Sequence, residues 1–333
     1  MNKSPRPHTV HDSVWAQRQA IRHTADVTGV TLLCYMGLSA LLPLLLNWLA
    51  PTLGHIHGRQ VWVAQLHREF IAALSYGGSL LIPFVFMWKS LGLGQSSLPR
   101  ARRADAPYLL AALFVGTGAA SLGNILSYLA QLLLECLGYG FRDNSLHFAD
   151  TAPANVVLVL CSTLIAALVE ELAFRGVLLR ALRRYGDRFG ILCSALIFAL
   201  CHSSPMQFAP ALLSGLVLAC LTVRTGSLGT GILVHMAYNA LAILINQISV
   251  NFLPSARELF SLLVGGLLTI CGIIFGVYLY RRDHKSRPNL HKAPSVLTAS
   301  EGTGAFLSSI FLWVALILII VRQLDSIVPL MER

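Results

Sequence analysis

Residues 106–134 read APYLLAALFVGTGAASLGNILSYLAQLLL, with no Asp, Glu, Lys or Arg anywhere in the stretch. A helix needs about 20 apolar residues to cross a bilayer, so this run alone takes the chain out of the soluble class. Outward from it the pattern repeats. Charged residues make up 12% of the 333 positions and hydrophobic ones 55%, where a soluble domain carries roughly 25% charge. Disorder, collagen, a coiled coil and an ordinary soluble enzyme are excluded. The reading is an all-α protein, a polytopic transmembrane helical bundle.

Nine apolar runs can be marked, near 28–50, 70–88, 107–136, 155–173, 189–203, 209–223, 228–247, 258–280 and 304–323. The fifth and sixth are short, so eight to nine spans are expected. The net charge of +10 would suggest nucleic acid on a soluble protein. Here the basic residues sit in short loops, and no nucleic-acid partner is expected. With the N-terminus inside, 19 Lys and Arg fall on inner segments and 6 on outer ones, which is the positive-inside pattern. Residues 1–27 form a polar cytoplasmic tail without the features of a cleavable leader, and residues 28–150 supply the first transmembrane helices. Residues 251–333 supply the last ones, interrupted by a basic linker at 281–303. The seven cysteines all lie in or beside apolar runs without a CxxC pair, and read as reduced, buried, lipid- or core-facing thiols.

Ionisable groups inside spans are costly, by about 2.5–3.5 kcal/mol for Asp, Lys or Arg, and each needs a reason. They concentrate in residues 170–239: Glu170, Glu171 and Arg175 on the fourth run, His202 at the end of the fifth, His235 and Asn239 on the seventh. Glu171 and Arg175 are four apart, the spacing of a helix ion pair. Adjacent helical residues point about 100° apart, so the two glutamates are expected in different environments. Glu170 is left without a cation on its own helix, an arrangement in which a buried carboxylate can exchange protons as a general base. His235 and Asn239 share one helix face, and Phe198 lies one turn before His202. A glutamate, two histidines and an amide suffice for hydrolysis: the base takes a proton from water, and imidazole and amide N–H groups hold the oxyanion. Glu with two His is also close to a catalytic zinc shell. No cofactor is expected, yet a divalent metal such as zinc stays open, with Glu170, His202 and His235 as its ligands.

Three motifs in order, Glu170-Glu171-x-x-x-Arg175, Phe198-x-x-x-His202 and His235-x-x-x-Asn239, resemble those of the CAAX prenyl endopeptidase type II family, whose bacterial members are called CPBP or Abi-family intramembrane proteases. Phe174-Arg175-Gly176 and Thr225-Gly226-Ser227-Leu228 match the local dressing as well. The resemblance covers about residues 155–250 and makes 151–250 a catalytic core. It implies a helical intramembrane endopeptidase, long described as a metalloprotease and now usually as glutamic-type. By position Glu170 would activate the water with help from His202, His235 and Asn239 would bind the oxyanion, and Glu171 with Arg175 would be an orienting pair. Expected partners are the lipid bilayer and a membrane-associated peptide or protein substrate, in a multi-pass protein of a bacterial inner membrane. Two other readings remain: a non-catalytic scaffold or immunity protein, and an ion-coupled transporter. No HExxH, GxSxG, P-loop or dinucleotide fingerprint is present.

Overall fold

The first helix is long, α1 (Val10–Leu49), and is followed by α2 (Val61–Ser90) and α3 (Ala106–Cys136). The computed structural model describes residues 10–49, 61–94, 104–142, 148, 152–202, 204–283 and 297–332. A short strand β1 (Tyr139–Phe141) leads to α4 (Ala152–Arg183), α5 (Asp187–Leu200), α6 (Pro205–Thr225), α7 (Leu228–Ser249) and α8 (Pro254–Asp283). The chain closes with α9 (Ala299–Leu307), α10 (Ile310–Leu324) and a second strand, β2 (Ile327–Pro329).

Seven of these helices are long and apolar enough to cross a membrane, and α9 with α10, bent by 72°, brings the number to eight if the pair is one span. The protein is an integral, multi-pass helical membrane protein. The fifth apolar run is α5, whose 14 residues rise only about 21 Å. It ends short of a full crossing, in a turn that holds His202.

Local sequence sets the helix ends. Asp105 caps α3 by accepting from the Tyr108 N–H at 3.1 Å, with Pro107 in the first turn. Ser204 caps α6 ahead of Pro205. Gly226, at φ +65°, closes α6 in the left-handed conformation that glycine takes without strain. Thr298 and Glu301 form a reciprocal capping box at the start of α9. Residues 10–27, read as a tail, are already helix: Ile21 and Ala25 are buried, and Thr24 shares a 2.7 Å hydrogen bond with Tyr185. Most of the basic linker, residues 284–296, lies outside the described residues.

Small residues let the helices approach. A Cβ on Gly118 of α3 would stand 2.7 Å from the Gly272 Cα of α8, so the two backbones touch, as in close transmembrane packing. The larger core cluster gathers Phe84 of α2, Phe174 of α4 and Phe198 of α5, whose rings meet at 5.2 and 5.0 Å. Outside the helices, β1 and β2 pair antiparallel, with Gly140 opposite Val328, and join the end of α3 to the end of α10. Neither strand was expected from the sequence.

Candidate active site

The fourth helix is not a uniform α-helix. It passes through π-helical turns at Cys161–Ile165 and Glu171–Leu179. Such turns widen the backbone locally and recur at functional sites. Between and within them stand Glu170, Glu171 and Arg175, all buried.

Glu171 is held from two directions. Its Oε1 accepts from Arg175 Nη1 at 2.8 Å and lies 2.9 Å from His235 Nδ1 on α7. The guanidinium continues to the Gly215 carbonyl of α6 at 3.2 Å and lies over the Phe198 ring, 4.3 Å from its centroid. One ion pair therefore ties α4, α5, α6 and α7 together. Against a carboxylate paired with Arg175, which only accepts, His235 Nδ1 is the donor. This leaves Nε2 turned the other way, 3.6 Å from Glu170 Oε2.

The two glutamates thus share one imidazole, against the expectation of separate environments. The ring comes from a neighbouring helix, and its opposite edges reach both carboxylates although their own helix points them apart. Glu170 also has a partner that sequence spacing could not reveal. The Tyr76 hydroxyl, on α2, donates to Glu170 Oε1. Glu170 Oε2 is buried and without a hydrogen-bond partner among the described residues.

His202 and Asn239 stand at the margins. His202 Nδ1 lies 2.9 Å from the Phe198 carbonyl. Its ring meets the Phe198 ring edge-on at 4.8 Å, and Phe198 meets His235 at 6.1 Å. The Asn239 amide donates to the Ser162 carbonyl of α4 at 3.1 Å, so Asn239 and His235 both face α4, as their spacing predicted. Neither His202 nor Asn239 is hydrogen-bonded to Glu170 or His235 among the described residues. Tyr238 stacks on His235 at 4.8 Å. No group of three or more His, Cys, Asp or Glu among the described residues is arranged to hold a metal ion.

The carbonyls at the end of α5 are satisfied from distant helices. Gln323 of α10 donates to the Leu200 and His202 carbonyls at 2.9 and 3.0 Å, and Tyr35 of α1 donates to the Cys201 carbonyl at 3.3 Å. Tyr35, Tyr76 and Gln323 were missed in the sequence. The one signal for Tyr76 was its polar setting, Ser75-Tyr76-Gly77-Gly78-Ser79, inside an apolar run.

Comparison with known proteins points the same way. An "Uncharacterized 24.3 kDa protein" of Escherichia coli is 31% identical over 151 residues, a match covering 43% of this chain and 65% of that protein. The chain thus spans just under two thirds of that relative's length. No solved structure matches. The sequence model of the family described as type II CAAX prenyl endopeptidase Rce1-like matches residues 152–241. That segment runs from the start of α4 into α7 and contains all seven motif residues, so in it the chain resembles the Rce1-like type II CAAX prenyl endopeptidases.

Proposed function

We propose that the protein is an intramembrane endopeptidase that hydrolyses peptide bonds in a membrane-associated peptide or protein. The observation that carries this reading is the buried Glu170 carboxylate, with one oxygen held by Tyr76 and the other unpaired and 3.6 Å from His235 Nε2. A water between Glu170 Oε2 and the substrate carbonyl loses its proton to Glu170. The hydroxide adds to the carbonyl carbon, and the oxyanion is held by the second amide N–H of Asn239 and by Nε2–H of His235 as the imidazolium, with His202 alongside. Glu170 then returns the proton to the leaving amine. Glu171 and Arg175 hold His235 in the orientation that this needs, as a carboxylate orients the histidine of a hydrolase triad. The family match and its motif residues support the same assignment.

No metal takes part in this scheme. A divalent metal is the alternative: with Nδ1 on Glu171, His235 Nε2 beside Glu170 has the carboxylate-backed arrangement of a metal-binding histidine. The 19-to-6 distribution of basic residues supports an inner-membrane protein with a cytoplasmic N-terminus, its site reached from the membrane or the cytoplasmic side.

The test uses purified wild type and Glu170→Gln with a library of prenylated and unprenylated peptides, with and without a strong chelator, read by mass spectrometry. Wild type is expected to cleave in both conditions, and Glu170→Gln to lose at least about 10²-fold in kcat. Equal cleavage by both proteins overturns the assignment. Cleavage abolished by the chelator would install a metal held by Glu170, His202 and His235. Cleavage by neither protein would favour a scaffold or a transporter.

A further inference from the structure

The base-bearing helix receives a group from outside the segment that resembles the endopeptidases. Tyr76 lies on α2, far from residues 152–241, and its hydroxyl donates to Glu170 Oε1. Neighbouring small residues make the contact reachable. A Cβ on Gly77 would stand 3.9 Å from Val169, the residue before Glu170, and one on Gly78 would stand 2.8 Å from Leu42 of α1. A larger side chain at Gly78 would have to displace the Leu42 side chain. The Ser79 hydroxyl donates to the Tyr76 carbonyl at 3.0 Å. Glu170 is only 7% exposed, while Tyr76 is 38% exposed. The hydroxyl therefore reaches a buried carboxylate from a residue whose ring is partly exposed.

We infer that Tyr76 is a positioning residue for Glu170: it pins Oε1 so that Oε2 alone is presented toward His235 and the attacking water. This rests on Glu170 being the base. Tyr76 keeps its proton throughout and contributes only a hydrogen bond to the carboxylate, an interaction with a charged group that is stronger than a neutral one. Without it the carboxylate rotates about its terminal torsion, which has a broad, weakly restrained profile, and the productive orientation is populated less. The consequence is a loss in kcat with little change in KM, since Tyr76 holds the base and not the peptide.

The experiment compares full-length wild type, Tyr76→Phe and Glu170→Gln in detergent, on a peptide that wild type cleaves and by difference infrared spectroscopy. The carboxylate band lost in Glu170→Gln belongs to Glu170. In Tyr76→Phe that band is expected to shift, with kcat lower by about tenfold and KM within twofold. If Tyr76→Phe fails to fold, fluorotyrosines at position 76 keep the ring and the hydroxyl while making the phenol more acidic. Both kcat and the band should then change stepwise along the series. An unmoved Glu170 band, or a kcat within twofold of wild type across these variants, overturns the inference. Full activity in Glu170→Gln would instead overturn the assignment of the base, whatever Tyr76 does.

Discussion

Glu171 and Arg175 are buried to 0% and 1% exposure, and among the described residues Arg175 pairs with no other carboxylate. Removing one member strands the other, at a cost of about 3–5 kcal/mol. Arg175→Met and Glu171→Gln should each lower the unfolding midpoint in detergent, and the double variant should fall by much less than their sum. A second change acts on the same carboxylate without touching charge. A Cβ on Gly231 would come 2.9 Å from Glu171 Oε2. That oxygen is the end of a side chain fixed by Arg175 and His235, so Gly231→Ala should push Glu171 off His235. Alanine improves helix propensity by up to about 1 kcal/mol, so kcat should fall, by about tenfold, in a protein that keeps its fold; an unchanged kcat would show that the carboxylate moves aside freely. The Glu171–Arg175 pair was legible from four-residue spacing. Its link to His235 was not, because it crosses helices 64 positions apart, and helical periodicity speaks only for one helix at a time.

Among the elements, α5 is the anomaly. A helix that stops inside a bilayer leaves its last carbonyls unpaired. Gln323 and Tyr35 supply the donors. Gln323→Leu leaves the Leu200 and His202 carbonyls without that amide, at about 1–3 kcal/mol for each buried orphan. It should lower both thermal stability and kcat, because the residue that loosens is His202; Gln323→Glu offers no amide donor and should not rescue. The sequence marked the fifth run as short but gave no sign of its cap, which is donated from over a hundred residues away. The π-helical turns of α4 escaped for a related reason: their hydrogen bonds reach one residue further than the α-helix, and no side-chain pattern announces that.

At the scale of the whole molecule, hydropathy placed nearly every helix, since burial of backbone polar groups in lipid permits little else. The two-stranded ribbon was invisible, its strands being three residues each and far apart. Ion pairs fasten the helix ends on the arginine-rich side. Arg224 pairs with Asp283 at 3.0 Å, and Arg282 pairs with Asp105 at 2.5 Å. The Arg282 bond, helped by the Tyr108 N–H, holds the Asp105 carboxyl below its usual range. This clasp is fully present above the ordinary Asp value near 4 and is lost as the pH falls through the lower, folded one. Asp105→Asn should therefore lose a little stability at pH 7–8, where the clasp is present, a small loss because exposed pairs are worth little, and should match wild type in strong acid, where the clasp is already open. A large drop at neutral pH would assign Asp105 a role beyond the clasp.

The capping of α5 by Gln323, just ahead of the ribbon strand at Ile327–Pro329, sets an order in time. During synthesis Glu170, His202 and His235 are all in the membrane well before Gln323 leaves the ribosome. A nascent chain stalled short of that residue carries every chemical group of the site and lacks the amide that steadies one of them. The cap on α5 is thus among the last contacts of the fold to form.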